Sequence, residues 1–158
     1  MTTQKNRIRL NSDGQSLGIA KAAWDEALKT ATPDPVVKIR HAQIGGNEQY
    51  RTHVAAIPEH VGCHVHMDGD EDYAVVAGKG TLHWGAVAKN PNGNGYIVNW
   101  ETPIDVETGD SFVIPEGYAH QLARRGSDDL VIVFGCPDSH MANDADRFML
   151  PSAPELTA

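Results

Sequence analysis

Cysteine is scarce in this chain: Cys63 and Cys136 are its only two among 158 residues, far apart and without a CxxC spacing. Such a pattern gives no disulfide framework to read and leaves an internal bridge open, so reduced thiols in a cytoplasm are the default expectation. Basic side chains are also in the minority, 13 against 21 acidic ones, for a formal charge of -8. That balance disfavours a phosphate backbone or anionic lipid as partner and leaves a small molecule or another protein. No long apolar run opens the chain: Met1 to Gly14 carry charge and amides, fitting neither a signal peptide nor a membrane span, so export is not expected. Internal repeats and low-complexity segments are lacking too, and the length suits one domain with a proper core.

Regular punctuation is what the chain does have. From Leu17 to Ala31 the composition favours a short amphipathic helix, with Leu17, Ala20, Trp24, Ala27, Leu28 and Ala31 on one face, ended by Thr32-Pro33-Asp34-Pro35. The signal then turns to β. Strands are expected over 36–39, 49–57, 61–66, 73–77, 80–87, 95–100, 111–114, 120–123 and 130–134, with Gly/Pro/Asn/Asp turns between them. Such spacing predicts a sandwich or barrel, with residues 1–35 as an arm, 36–137 as the β domain and 138–158 as a tail. Within that tail Phe148, Met149 and Leu150 are expected to pack on the body before a loose end.

One short segment carries chemistry. His64-Val65-His66 places two imidazoles on the same face of a strand, roughly 6.5 Å apart along it, so both can reach one ion. A carboxylate and a third imidazole would complete a mixed N/O site, suited to a divalent transition metal (Fe, Mn, Ni, Zn or Cu) rather than calcium or magnesium. If the histidines face inward, Val61, Cys63 and Val65 face a second layer or a dimer partner.

Two motifs now stand side by side. The first runs His64-x-His66, four residues, Glu71, six more, then Gly78; the second runs Gly109, five residues, Pro115-x-Gly117, two residues, His120. Together they resemble the paired motifs of the cupin superfamily, with Pro58 where a glycine is usual and Arg124 where an asparagine is usual. The resemblance implies an all-β, double-stranded β-helix (jelly-roll, cupin barrel) with a short N-terminal helix or arm. It also implies His64, His66, Glu71 and His120 as ligands of one metal, and a homodimer. On an ion that accepts six ligands, two positions would stay open for substrate, water or dioxygen.

Other residues are weighed by strand parity. Tyr73 shares a face with Glu71, and His83 with Thr81, which makes both candidates for a general acid or base; packing or exposure is the plainer account of each. Arg51 and His53 share a face, so both line a pocket or both face out; facing in, Arg51 would clamp an anion. His41, His60 and His140 have no motif and are read as structural or solvated. Trp84 and Trp100 are read as core or interface aromatics. Asp68, Asp70 and Asp72 are read as a solvated acidic turn, since Tyr73 and Lys79 occupy the positions a calcium loop gives to glycine and glutamate. The expected activity is that of a metal-dependent enzyme on a small polar or acidic metabolite, a dioxygenase, isomerase/epimerase or lyase. A non-catalytic metal-containing binding or sensor protein is the alternative, because the fold does not choose a chemistry.

Overall fold

Short alternating segments separated by turn residues form 12 strands in this computed structural model, which describes residues 21–46, 49–141 and 146–157. They are β1 (Thr32–Asp34), β2 (Ile39–Gly46), β3 (Tyr50–Ile57), β4 (His64–Val65), β5 (Glu71–Ala77), β6 (Lys79–Lys89), β7 (Tyr96–Trp100), β8 (Ile104–Glu107), β9 (Ser111–Ile114), β10 (Tyr118–Arg125), β11 (Leu130–Pro137) and β12 (Phe148–Met149). Antiparallel pairing gives one sheet in the order β1-β2-β3-β11-β5-β9 and a second in the order β12-β4-β10-β6-β7, with β8 on β6. Between them lies an apolar core that includes Ile57, Val75, Leu82, Trp84, Phe112 and Ile132. The expected all-β fold is what forms.

The helix is shorter than the sequence pattern suggests. Helix α1 (Lys21–Leu28) covers the outer face of the first sheet, where Trp24, Ala27 and Leu28 pack with Val54, Val131 and Val133. Leu17 and Ala20, expected in the same helix, lie outside the described residues, as does Asn47 of the next turn. Among the described residues no helix is long and apolar enough to cross a membrane.

Three expectations need correction. Of the expected strand 36–39 only Ile39 joins β2; Val36 to Lys38 form a turn before it, because Asp34 Oδ1 accepts from the amides of Val36 and Val37, at 3.0 and 3.3 Å, and its carbonyl accepts from Lys38. This Asx-type closure overrides the β preference of two valines and puts Lys38 at φ 61°. Within 61–66 only His64–Val65 joins a ladder; at Gly62 the chain passes so near Val36 that a Cβ would stand 2.9 Å from the Val36 carbonyl oxygen. The tail is also less loose than it reads. β12 pairs with β4, Leu150 N donates to Cys63 O at 2.9 Å, and the amide of buried Ala153 donates to Gln121 Oε1 at 2.9 Å before a helical turn, Pro154–Thr157.

Gly78 turns the chain from β5 in the first sheet to β6 in the second at φ 77°, packed against the backbone of Asp129 and Leu130. Its carbonyl accepts from both Thr108 N and Thr108 Oγ1, at 3.1 Å each. An added Cβ meets both a left-handed backbone and a backbone wall. Gly78→Ala is therefore expected to cost about 2–4 kcal/mol and lower the melting temperature by roughly 5–15 °C, as read by calorimetry.

Candidate metal centre

Pairing places the histidines. His64 on β4 and His120 on β10 are direct cross-strand partners, and their rings lie 4.4 Å apart. His66, one pleat further along, has its ring 4.9 Å from that of His64. Glu71 opens β5 in the opposite sheet and reaches across the interior to them. Each residue of this set offers one ligand atom within 4.8 Å of every other, and all four side chains are buried. The connection that delivers His120, Pro115-Glu116-Gly117, crosses from β9 in the first sheet to β10 in the second, rather than closing a hairpin within one sheet. It is tied to the first motif: Gly117 N donates to His66 O at 2.8 Å and Glu116 N to Asp70 Oδ1 at 2.9 Å.

Hydrogen bonding selects the tautomer of each ring. His64 Nδ1 meets Gly62 O at 2.7 Å, His120 Nδ1 meets Tyr118 O at 3.1 Å, and His66 Nδ1 meets Asp146 O. A carbonyl only accepts, so each Nδ1 carries the hydrogen and, in the neutral ring, each Nε2 presents a lone pair to the interior. His120 Nε2 is buried without a hydrogen-bond partner although Glu71 Oε1 lies 3.1 Å away. Two acceptors at that distance need a cation between them, a proton or a metal ion. Ligands about 2.1 Å from one ion and at right angles to each other stand about 3.0 Å apart. The donor set thus fits a divalent transition metal.

Glu71 is held from several sides. Tyr73 OH donates to Oε1 at 2.8 Å, His140 Nδ1–H donates to Oε2 at 3.0 Å, and His66 Nε2 lies 3.6 Å from Oε2. Burial alone would raise this carboxyl, but the facing imidazoles of His66 and His120 and the hydrogen bond from His140 outweigh it and hold it well below the usual carboxylate range. Burial, with repulsion from His120 and His66, pushes His64 well below its ordinary value. Burial likewise lowers His66 to about 4. Both rings are therefore neutral near pH 7, the state that binds a metal.

His140, read from sequence as structural or solvated, belongs to this centre. Its ring stacks on His66 with centroids 3.9 Å apart and planes 1° apart, and Nε2–H donates to Asp68 O at 2.6 Å. Both nitrogens face acceptors, and although burial opposes it, Glu71 raises the imidazole above its ordinary value. The acidic turn is correspondingly engaged rather than merely solvated: Asp68 takes His140 on its carbonyl, and Asp72 accepts from Tyr50 OH. Asp146 was also missed. It accepts from Met67 N and Asp68 N at 2.8 and 2.7 Å, besides holding His66. No local pattern could have flagged either residue, since each meets its partners across about 70 to 80 residues of chain.

The remaining candidates separate clearly. Tyr73 lines the cavity, stacked between Phe112 and Phe134. His83 does not: its neighbours Leu82 and Trp84 face the core, so it faces outward, 3.7 Å from Glu155 Oε2. Arg51 and His53 share the inward parity of Ala55 and Ile57 without lining the cavity. Arg51 is drawn aside to Asp138 and Gln43, at 2.8 and 3.0 Å, and His53 stacks on Phe134. The arginine that lines the cavity is Arg147, alongside Val61, Leu122, Ile132 and Met141. Trp84 is core, as expected, whereas Cys63 and Val65 pack on the outer face of the second sheet with Ala119, Trp100 and Leu150.

Burial holds the His53 imidazole at about 4. An unfolded histidine takes a proton near 6.5 that the folded His53 refuses, so its contribution is present above about pH 6.5 and lost as pH falls toward 4. His66 acts with the same sign. Thermal melts of the metal-free chain are expected to weaken from pH 7 to 4.5, and His53→Leu to remove about 2–3 kcal/mol of that loss.

No family model and no curated protein matches the sequence. Solved structures do match. A double-stranded β-helix domain protein from Klebsiella pneumoniae superposes with a TM-score of 0.57 at 18% identity, over 85% of this chain and 98% of that one. Hydroquinone 1,2-dioxygenase from a Sphingomonas species, with 4-hydroxybenzoate bound, gives 0.55 at 16%, over 71% and 70%. Bacillus subtilis oxalate decarboxylase, a protein with Mn(II) centres, gives 0.54 at 16%, over 78% of this chain and 31% of that one. This chain has the double-stranded β-helix fold, the fold that the resemblance to cupins implies.

Proposed function

We propose that this chain is a metal-dependent enzyme acting on a small polar or acidic metabolite, with His64, His66, Glu71 and His120 holding one divalent transition metal. The observation that carries the reading is the set of three buried imidazoles, each anchored through Nδ1 on a backbone carbonyl and turned by Nε2 toward Glu71. A bound metal supplies Lewis acidity and, if it is iron, redox chemistry toward dioxygen. The cavity beside the four residues offers about 40 Å³ to the centres of water-sized groups, which suits a small substrate.

Within the enzyme class the lining favours oxygenation over acid–base isomerisation. Isomerases and epimerases need a base to take a proton from carbon. Among the described residues of the cavity wall, Tyr73 is kept protonated, since burial and the charge of Glu71 raise its hydroxyl well above the ordinary value, and both nitrogens of His140 are engaged. Tyr73 is thus suited to giving a proton or steadying a developing negative charge, not to taking a proton. The proposal includes a cytoplasmic location and a homodimer; sedimentation at the mass of two chains checks the latter.

Elemental analysis of protein from its native host is expected to find one transition metal per chain. His64→Ala, His120→Ala and Glu71→Gln should lose both metal and turnover. Tyr73→Phe should keep the metal and lose about 100-fold in kcat. Oxygen uptake with substrate identifies the dioxygenase; conversion without oxygen points to an isomerase or lyase. A protein that keeps its metal, is stabilised by metabolites and converts none across a broad screen is the sensor instead.

A further inference from the structure

We propose that Arg147 selects the substrate: its guanidinium receives the carboxylate of a small organic monoacid whose apolar body lies against Val61, Leu122 and Phe134. The inference rests on the metal-centre reading for where the reacting end of the substrate lies, and on the cavity itself for the Arg147 contact.

Arg147 lines the same cavity as the four metal-site residues, and its side chain is only 9% exposed. A guanidinium stays charged at every physiological pH, so a permanent cation stands in a mostly apolar wall. It forms an ion pair with Asp34, whose Oδ2 accepts from Nη1 at 3.0 Å. That carboxylate is shared, because Oδ1 of Asp34 already takes the amides of Val36 and Val37. Asp34 therefore positions the guanidinium against the β1–β2 turn while dividing its own charge among three donors.

Position is set from the other side as well. The preceding residue, Asp146, is clamped by its carboxylate to the amides of Met67 and Asp68 and by its carbonyl to the Nδ1–H of His66. The backbone that bears Arg147 is consequently in register with a metal-site histidine. A ligand held by the guanidinium has its other end directed into the cavity shared with His64, His66 and His120.

Charge and shape define the class of ligand. A divalent ion with one carboxylate and neutral imidazoles would retain a net positive charge, and the Arg147 guanidinium, although paired with Asp34, is the cation on the cavity wall, so an anion is favoured over a cation. The planar fork of a guanidinium matches a carboxylate with two parallel hydrogen bonds. Beyond the polar set the wall is aliphatic and aromatic, including Val37, Ile39 and Ile132, which offers a second carboxylate or a sugar hydroxyl no partner. A compact monoacid meets each of these conditions.

Calorimetric titration of the metal-loaded protein with small monocarboxylic acids and their primary amides tests the proposal. The wild type is expected to prefer acid over matching amide by about tenfold or more, the scale of a charge-assisted pair. Arg147→Gln should abolish that preference by weakening acid binding while amide binding and metal content stay as they were; Arg147→Lys should retain part of it. A wild type that binds acids no better than amides overturns the inference, as does an undiminished preference in Arg147→Gln. Should Arg147→Gln not fold, the Arg147 Nε–H resonance of the wild type decides: it shifts with acid and not with amide, and a resonance unmoved at excess acid rejects the role. Acid binding through Arg147 without any turnover would sink the enzyme reading and leave this one standing; turnover indifferent to Arg147→Gln would do the reverse.

Discussion

Burying the Glu71 carboxylate inside an apolar barrel would cost several kcal/mol if it were left unpaired, and the groups converging on it answer that cost. Tyr73 and His140 donate to its two oxygens, and His66 and His120 face it with Nε2. Both sheets contribute, since Glu71 and Tyr73 stand on β5 while His64 and His120 stand on β4 and β10. The same contacts that satisfy the charge also bring the sheets into one relative position, and that position defines the cavity.

The backbone supports the arrangement at one remove. Carbonyls of Gly62, Tyr118 and Asp146 orient the three rings, and two of the three come from residues two positions away along the same segment. His66 differs, because its orienting carbonyl belongs to the C-terminal segment, which also supplies β12 and Arg147. That segment is consequently part of the site's construction and not an appendage. The three-ring row of Phe112, Tyr73 and Phe134 across β9, β5 and β11 fixes the tyrosine in a similar way, through packing on both faces.

Much of this was legible in the chain before folding. The i, i+2 spacing of His64 and His66 requires one face of a strand, whatever the surroundings, and the second motif ends on the histidine that pairs with the first. Alternation and turn residues announced most strands. Errors arose where a side chain competed with a local preference: Asp34 closes a turn over two valines, and the close approach at Gly62 interrupts a strand. Parity placed Tyr73 correctly, but it could not say which face of β6 is inside, and His83 turned out to face the tail near Glu155.

The sequence by itself determined the β architecture and the one-face placement of His64 and His66, because strand periodicity and turn chemistry act over a few residues, and the resemblance of its two motifs to those of cupins implied the four residues that meet at the barrel's centre. Only the tertiary structure decided which long-range partners complete that centre. His140, Asp146 and Arg147 carry no spacing rule of their own and act through contacts formed when a distant segment packs across the cavity. Arg51, which parity left either lining a pocket or facing out, is drawn aside by Asp138, a residue 87 positions along the chain. A side chain's role depends on the charge and burial it meets after folding, and those are properties of the assembled barrel rather than of any stretch of it.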